Sequence, residues 1–150
     1  MTRPTKPPPT EAALPWPTYG ADNARGRAVA ATGLRPPFRR LWTFHGRPLL
    51  EFPPVVGYGS VFEEAFDGRL YSIDPASGRI RWRFSSHGCG WSSPALADHL
   101  LFATFIGNQE CKATLPGGEL LALSPETGRA RWRRTIGPSE SSPLVEDGTL

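Results

Sequence analysis

Apolar and charged side chains alternate along Arg79, Ile80, Arg81, Trp82, Arg83 and Phe84, a period of two that predicts a β-strand with Ile80, Trp82 and Phe84 on one face and the arginines facing water. The same alternation recurs where Arg129, Arg131 and Arg133 surround Ala130 and Trp132. Upstream, Asp67-Gly68 separates the apolar runs SVFEEAF and LYSI, which marks a two-residue hairpin turn needing positive φ. Ser77-Gly78 and Thr127-Gly128 mark the following turn in two successive copies. One unit therefore reads as an inner strand (54–57), a second strand (60–65), a third (69–74) and an outer strand (79–84).

That unit repeats. Residues 67–84 (DGRLYSIDPASGRIRWRF) align with 117–134 (GGELLALSPETGRARWRR) at a constant offset of fifty. Gly68, Leu70, Pro75, Gly78, Arg79, Arg81, Trp82 and Arg83 all meet identical residues. SSPALAD at 92–98 matches SSPLVED at 141–147, and PPVVG at 53–57 fits the same place forty residues before the first. Trp42, Trp82 and Trp132 precede Pro54, Pro94 and Pro143 by 12, 12 and 11 residues. A four-stranded unit of about forty residues, each ending in a tryptophan, fits a β-propeller blade. A single blade cannot bury both its faces, and the outer-strand tryptophan has the area to cover a neighbour.

The expected fold is all-β: a β-propeller of four-stranded antiparallel blades, its ring incomplete in this chain. Residues 1–15 read as a Pro-rich linker and 16–38 as a lead-in segment. Residues 39–150 read as a partial propeller: a lone outer strand at 39–45, a blade at 53–84, a blade at 92–134 with an insertion at 106–117, and the start of another blade at 141–150. Trp42 departs from the repeat because Phe38 stands four residues before it in place of glycine, and RPPFRR offers no third strand. The chain closes on Asp147-Gly148-Thr149-Leu150, a hairpin turn with two residues of its returning strand. A fragment of a ring of roughly four to eight blades is therefore expected.

Composition agrees with strands and turns. Sixteen glycines and seventeen prolines in 150 residues exceed ordinary usage and exclude a helical bundle or coiled coil. Prolines crowd the start at 4, 7, 8, 9, 15 and 17, where fixed φ angles keep a linker extended. The formal net charge is +3, carried almost wholly by arginine, since Lys6 and Lys112 are the two lysines. Those arginines follow the strand alternation and do not gather on one face, so they read as solvated strand faces and no nucleic-acid partner is expected. No run of seven apolar residues follows the opening Met-Thr-Arg, so the first thirty residues show neither a secretory signal nor a membrane segment.

At residue level the repeats resemble a known family. Ser72-x-Asp74-x-x-Ser77-Gly78-x-x-x-Trp82 and Ala122-x-Ser124-x-x-Thr127-Gly128-x-x-x-Trp132 resemble the tryptophan-docking motif, Ala-x-Asp-x-x-Thr-Gly-x-x-x-Trp, of PQQ-like propeller repeats. Each copy departs at one or two places, and between them every motif position is filled. Trp16-Pro17-Thr18-Tyr19-Gly20 with Asp22 and Arg25 is similar to the segment before the first blade in such proteins. The resemblance implies that Trp42, Trp82, Trp132, Gly78, Gly128 and Asp74 are structural docking residues. It also implies an extracytoplasmic protein of the cell envelope, periplasm or exterior, with any signal or anchor upstream of this sequence.

The candidate chemistry is sparse. Cys89 and Cys111 leave two readings open: a disulfide closing a loop of about 23 residues, worth roughly 3 kcal/mol if unstrained and requiring an oxidising compartment, or two unrelated free thiols. Both cysteines are expected in loops, Cys111 within the insertion. His87 and Cys89, even with His99 and Cys111, lack the spacing of a zinc ribbon or finger, so no metal site is expected. Ser92-Ser93-Pro94 and Ser141-Ser142-Pro143 recur as blade elements without a Gly-x-Ser-x-Gly elbow. Leu115-Pro116-Gly117-Gly118 reads as a turn and not as a phosphate loop. No catalytic or cofactor-binding residue is assigned.

Three functions remain open. The favoured one is a non-catalytic scaffold that meets protein partners through its propeller loops, as the resemblance to envelope assembly lipoproteins implies. The second is a quinoprotein dehydrogenase, which would need PQQ and calcium in the ring centre. The third is an extracytoplasmic sensor or ligand-binding domain.

Overall fold

The computed structural model describes residues 16–28, 35–46, 49–107 and 117–150. All regular structure among the described residues is β. The expected linker at 1–15 lies outside them, as do 108–116 of the insertion.

In the first sheet, β1 (Val55–Gly57), β2 (Ser60–Glu64), β3 (Arg69–Ile73) and β4 (Ile80–Ser85) pair antiparallel in chain order. The second sheet holds β5 (Cys89–Gly90), β6 (Ala95–Ala97), β7 (Leu100–Ile106), β8 (Gly118–Leu123) and β9 (Ala130–Ile136). Both β5 and β6 pair with β7, Cys89 opposite Ile106 and Ala95 opposite Phe102. Cys89 thus lies in a short strand and not in a loop. The seven-residue β7 outruns the three-residue β6, and its far half offers backbone groups that β5 satisfies.

The outer strands correct a second expectation. Ser72 faces Trp82 but Ile73 faces Ile80, with a register shift between them. Arg81 is the extra residue of a β-bulge. The bulge returns Ile80 to the face opposite Trp82 and Phe84, where it is 50% exposed. The second blade repeats the device, pairing Ala122 with Trp132 and Leu123 with Ala130.

Strand alternation gives each sheet two buried faces. Val55, Phe62 and Leu70 of the first sheet meet Leu101, Leu121 and Leu123 of the second, with Trp82 and Phe84 packed against this core. Ala65, Tyr71 and Ile73, on the other face of the first sheet, pack against Trp42, Phe44 and Leu50. The far face of the second sheet gathers Ala97, Phe102 and Ala122 with Trp132 and Val145. The two sheets are thus stacked blades. A tight bridge between Glu146 and Thr149 begins the following unit.

Residues 39–45, read as a lone outer strand, form no β-ladder. An outermost strand pairs with the third strand of its own blade, and no described residue supplies one. The lead-in segment does pair. Trp16 and Val56 exchange both backbone hydrogen bonds at 3.0 and 2.8 Å, and the Leu96 amide donates to Pro17 O at 2.7 Å. Thr18 Oγ1 reaches Pro143 O at 3.5 Å, and Asn23 Nδ2 donates to Val145 O at 3.0 Å. One segment therefore crosses the inner edges of three successive units, satisfying backbone groups that an edge strand would leave open.

Candidate functional site

The docking residues form a chain of contacts between units. Trp42 Nε1–H donates to Pro75 O at 2.9 Å, and its ring lies on Gly78 so closely that an added Cβ would sit 2.7 Å from Cδ2. Trp82 repeats this one unit on, donating to Pro125 O at 2.9 Å and lying on Gly128, where a Cβ would come 2.6 Å from Cε3. Both glycines have φ near +70°, a conformation that side chains other than glycine rarely adopt. Within each motif the glycine thus receives the preceding tryptophan, and Trp82, the first motif's own tryptophan, reaches forward to the next unit. Trp132 packs on Phe102 with ring centroids 5.9 Å apart.

Asp74 builds the turn that presents Gly78. Its Oδ1 accepts from the Ala76 and Ser77 amides at 3.0 and 2.8 Å and from Ser77 Oγ at 2.9 Å. Arg81, the bulge residue, donates to its Oδ2 at 2.6 Å. Arg81 and then Ser77 hold this carboxyl well below the usual aspartate range. Ser124 takes the place of Asp74 in the second copy and accepts from the Thr127 amide at 3.3 Å.

A second, buried polar cluster joins the units at their inner ends. Ser93 Oγ donates to Pro53 O at 2.7 Å, and the Ser93 amide donates to Ser142 Oγ at 3.0 Å. Ser92 Oγ lies 2.8 Å from Thr104 Oγ1 and donates to Glu64 Oε1 at 3.3 Å, and Thr104 reaches Ser141 O at 3.2 Å. The recurring Ser-Ser-Pro segments are therefore blade-to-blade fasteners.

Sequence reasoning missed the two carboxyls here. Alternation along β2 sends Glu63 and Glu64 to opposite faces, and both are buried. Glu64 Oε2 has no hydrogen-bond partner, and burial pushes this carboxyl well above its usual range. Burial likewise raises Glu63 to about 8. Glu63 lines a largely apolar cavity of about 460 Å³ with Trp42, Phe44, Val61 and Ile73. The available signal was the pair of acids inside the apolar run SVFEEAF.

Cys89 is buried and disulfide-bonded. Cys111, the other cysteine of the sequence, lies outside the described residues. If these two are joined, a maleimide will find no thiol before reduction and two afterwards, and reduction will lower stability by about 3 kcal/mol. Two reactive thiols in the unreduced, oxidatively folded protein would dismiss the bridge. Among the described residues no three His, Cys, Asp or Glu side chains gather to hold a metal ion.

A sequence model of the family described as outer membrane protein assembly factor BamB matches residues 67–150. The chain belongs to this family. It is 30% identical over 95 residues to the BamB of Bordetella pertussis, covering 63% of this chain and 23% of that protein. The BamB of Burkholderia pseudomallei is 27% identical over 103 residues, covering 69% and 26%. The chain thus spans about a quarter of the length of these curated relatives. Among solved structures, BamB from Moraxella catarrhalis matches 71% of the chain and 31% of its own at TM-score 0.56 and 21% identity. Quinohemoprotein alcohol dehydrogenase from Comamonas testosteroni matches 93% of the chain and 23% of its own at TM-score 0.68 and 22% identity. The PQQ-like propeller fold inferred from the docking motifs is therefore shared by BamB and dehydrogenase structures alike.

Proposed function

We propose that the protein is a non-catalytic propeller of the cell envelope that holds protein partners through the loops between its strands. The observation that carries this reading is the BamB family match across the second half of the chain, since BamB is by description an outer membrane protein assembly factor. The site chemistry supports it. Ser92, Ser93, Thr104 and Glu64, the polar groups at the inner ends of the blades, are engaged with one another and with neighbouring carbonyls. These contacts fasten one blade to the next, which is a structural use of the hydroxyls.

The alternative is a PQQ- and calcium-dependent dehydrogenase, which draws on the fold shared with the alcohol dehydrogenase. That reading requires a calcium site of six to eight oxygen ligands, several of them carboxylates, beside the quinone. Full-length protein supplied with PQQ and Ca²⁺ is expected to reduce no dye with alcohols or sugars. Sustained PQQ-dependent turnover would overturn the scaffold reading.

A further inference from the structure

The two repeats differ sharply in charge at one equivalent place, the groove where the outer half of a blade meets the segment before it. In the second repeat this place holds an ion pair. Arg133 donates to Glu119 Oε1 at 2.9 Å, Ser86 Oγ donates to Glu119 Oε2 at 3.2 Å, and the Arg133 guanidinium lies 5.7 Å from the Phe84 ring centre. Every charged group there has its complement.

In the first repeat the offset of fifty sets Arg69 where Glu119 stands and Arg83 where Arg133 stands. Tyr71 pairs with Arg83 and Arg69 with Ser85, so Arg69 and Arg83 are diagonal neighbours on one face. The acid that would neutralise Arg83 has become a second arginine. Phe44 and His45, two and three residues beyond Trp42, occupy the places that Phe84 and Ser85 take beyond Trp82. The result is an open cavity of about 330 Å³ lined by Phe44, His45, Arg69, Tyr71, Ile80 and Arg83. Arg69 pairs with Asp67 across the hairpin turn, which engages one nitrogen of a group that carries five N–H donors. Arg83 has no acidic partner among the described residues.

We propose that this groove binds a phosphomonoester group, its oxygens taken by the guanidiniums of Arg69 and Arg83 with an N–H of His45, and its carbon substituent set against Phe44 and Tyr71. A guanidinium fork takes two phosphate oxygens at once, and a second guanidinium on the same face supplies further donors and the second positive charge that a phosphomonoester dianion calls for. The Phe44 and Tyr71 rings, 5.1 Å apart and edge to face, form a firm wall for that substituent. The bulge at Arg81 makes the site, because it turns Ile80 onto this face and fixes the register that sets Arg83 beside Tyr71.

The test is a titration of the full chain with phenyl phosphate in solution and, separately, with vesicles containing phosphatidic acid, so that a soluble ester and a lipid headgroup are told apart. Saturable binding of one equivalent of either probe is expected. R69E recreates the ion pair of the second repeat, so it should fold normally and weaken binding at least tenfold. R83A should weaken it similarly, whereas R133A, an arginine already neutralised, should leave it unchanged. Wild-type affinity in both R69E and R83A, an equal loss in R133A, or no saturable binding of either probe would overturn the proposal.

Discussion

G128A is expected to destabilise the protein by about 3 kcal/mol, and most of that loss should disappear when Trp82 is already alanine. The added methyl would lie 2.6 Å from Cε3 of the indole, and neither partner can yield, because Trp82 is held by its bond to Pro125 O and by its ring contact with Phe62 at 5.8 Å. The indole must lift from the adjacent blade, which gives up its hydrogen bond and exposes apolar surface. About 1 kcal/mol should persist in the W82A background from placing alanine at positive φ. The remainder is the coupling between the two residues, read from a double-mutant cycle of denaturant unfolding. Equal costs of G128A in both backgrounds would show that Trp82 does not dock there.

Stability should fall as pH rises from about 4.5 to about 8. Glu63 has its carboxyl raised from 4.5 to about 8 in the folded protein, and Glu64 is raised in the same direction. Within that window the unfolded chain has released protons that the folded chain retains, so each rise in pH favours unfolding, by up to about 1.4 kcal/mol per pH unit for each such group. The stabilising contribution is fully present below the unfolded value and lost as pH climbs through the folded one. E63Q and E64Q should each flatten the profile and gain most over the parent near pH 8. Urea midpoints that are level or rising between pH 5 and 8 would contradict both assignments.

Much of the fold was legible because its signals are local. Asp67-Gly68, Ser77-Gly78 and Thr127-Gly128 announce turns by residue type, and a period of two between them announces strands. The docking residues were legible because Trp82 and Trp132 recur in register, although the sequence does not say that each glycine receives the tryptophan of the preceding unit. What stayed hidden depends on register and burial. No property of Arg81 itself signals a bulge, yet the bulge reverses the side on which Ile80 lies. The isolation of Glu64 follows from what surrounds it in three dimensions. The charge contrast between Arg69 and Glu119 is present in the alignment, but its meaning requires the diagonal pairing that sets each beside an arginine.

The central claim is that these blades form an interaction scaffold, and photocrosslinking in living cells tests it most directly. A photoreactive residue placed in the full-length protein at Asp98, in the turn between β6 and β7, probes one side of the ring, and one at Glu140, in the segment leaving β9, probes the other. Both positions are exposed. The scaffold reading predicts a discrete covalent adduct from at least one of them, with a protein of the outer-membrane assembly machinery identified by mass spectrometry. Absence of any adduct from both sides in cells that contain the folded protein would contradict it.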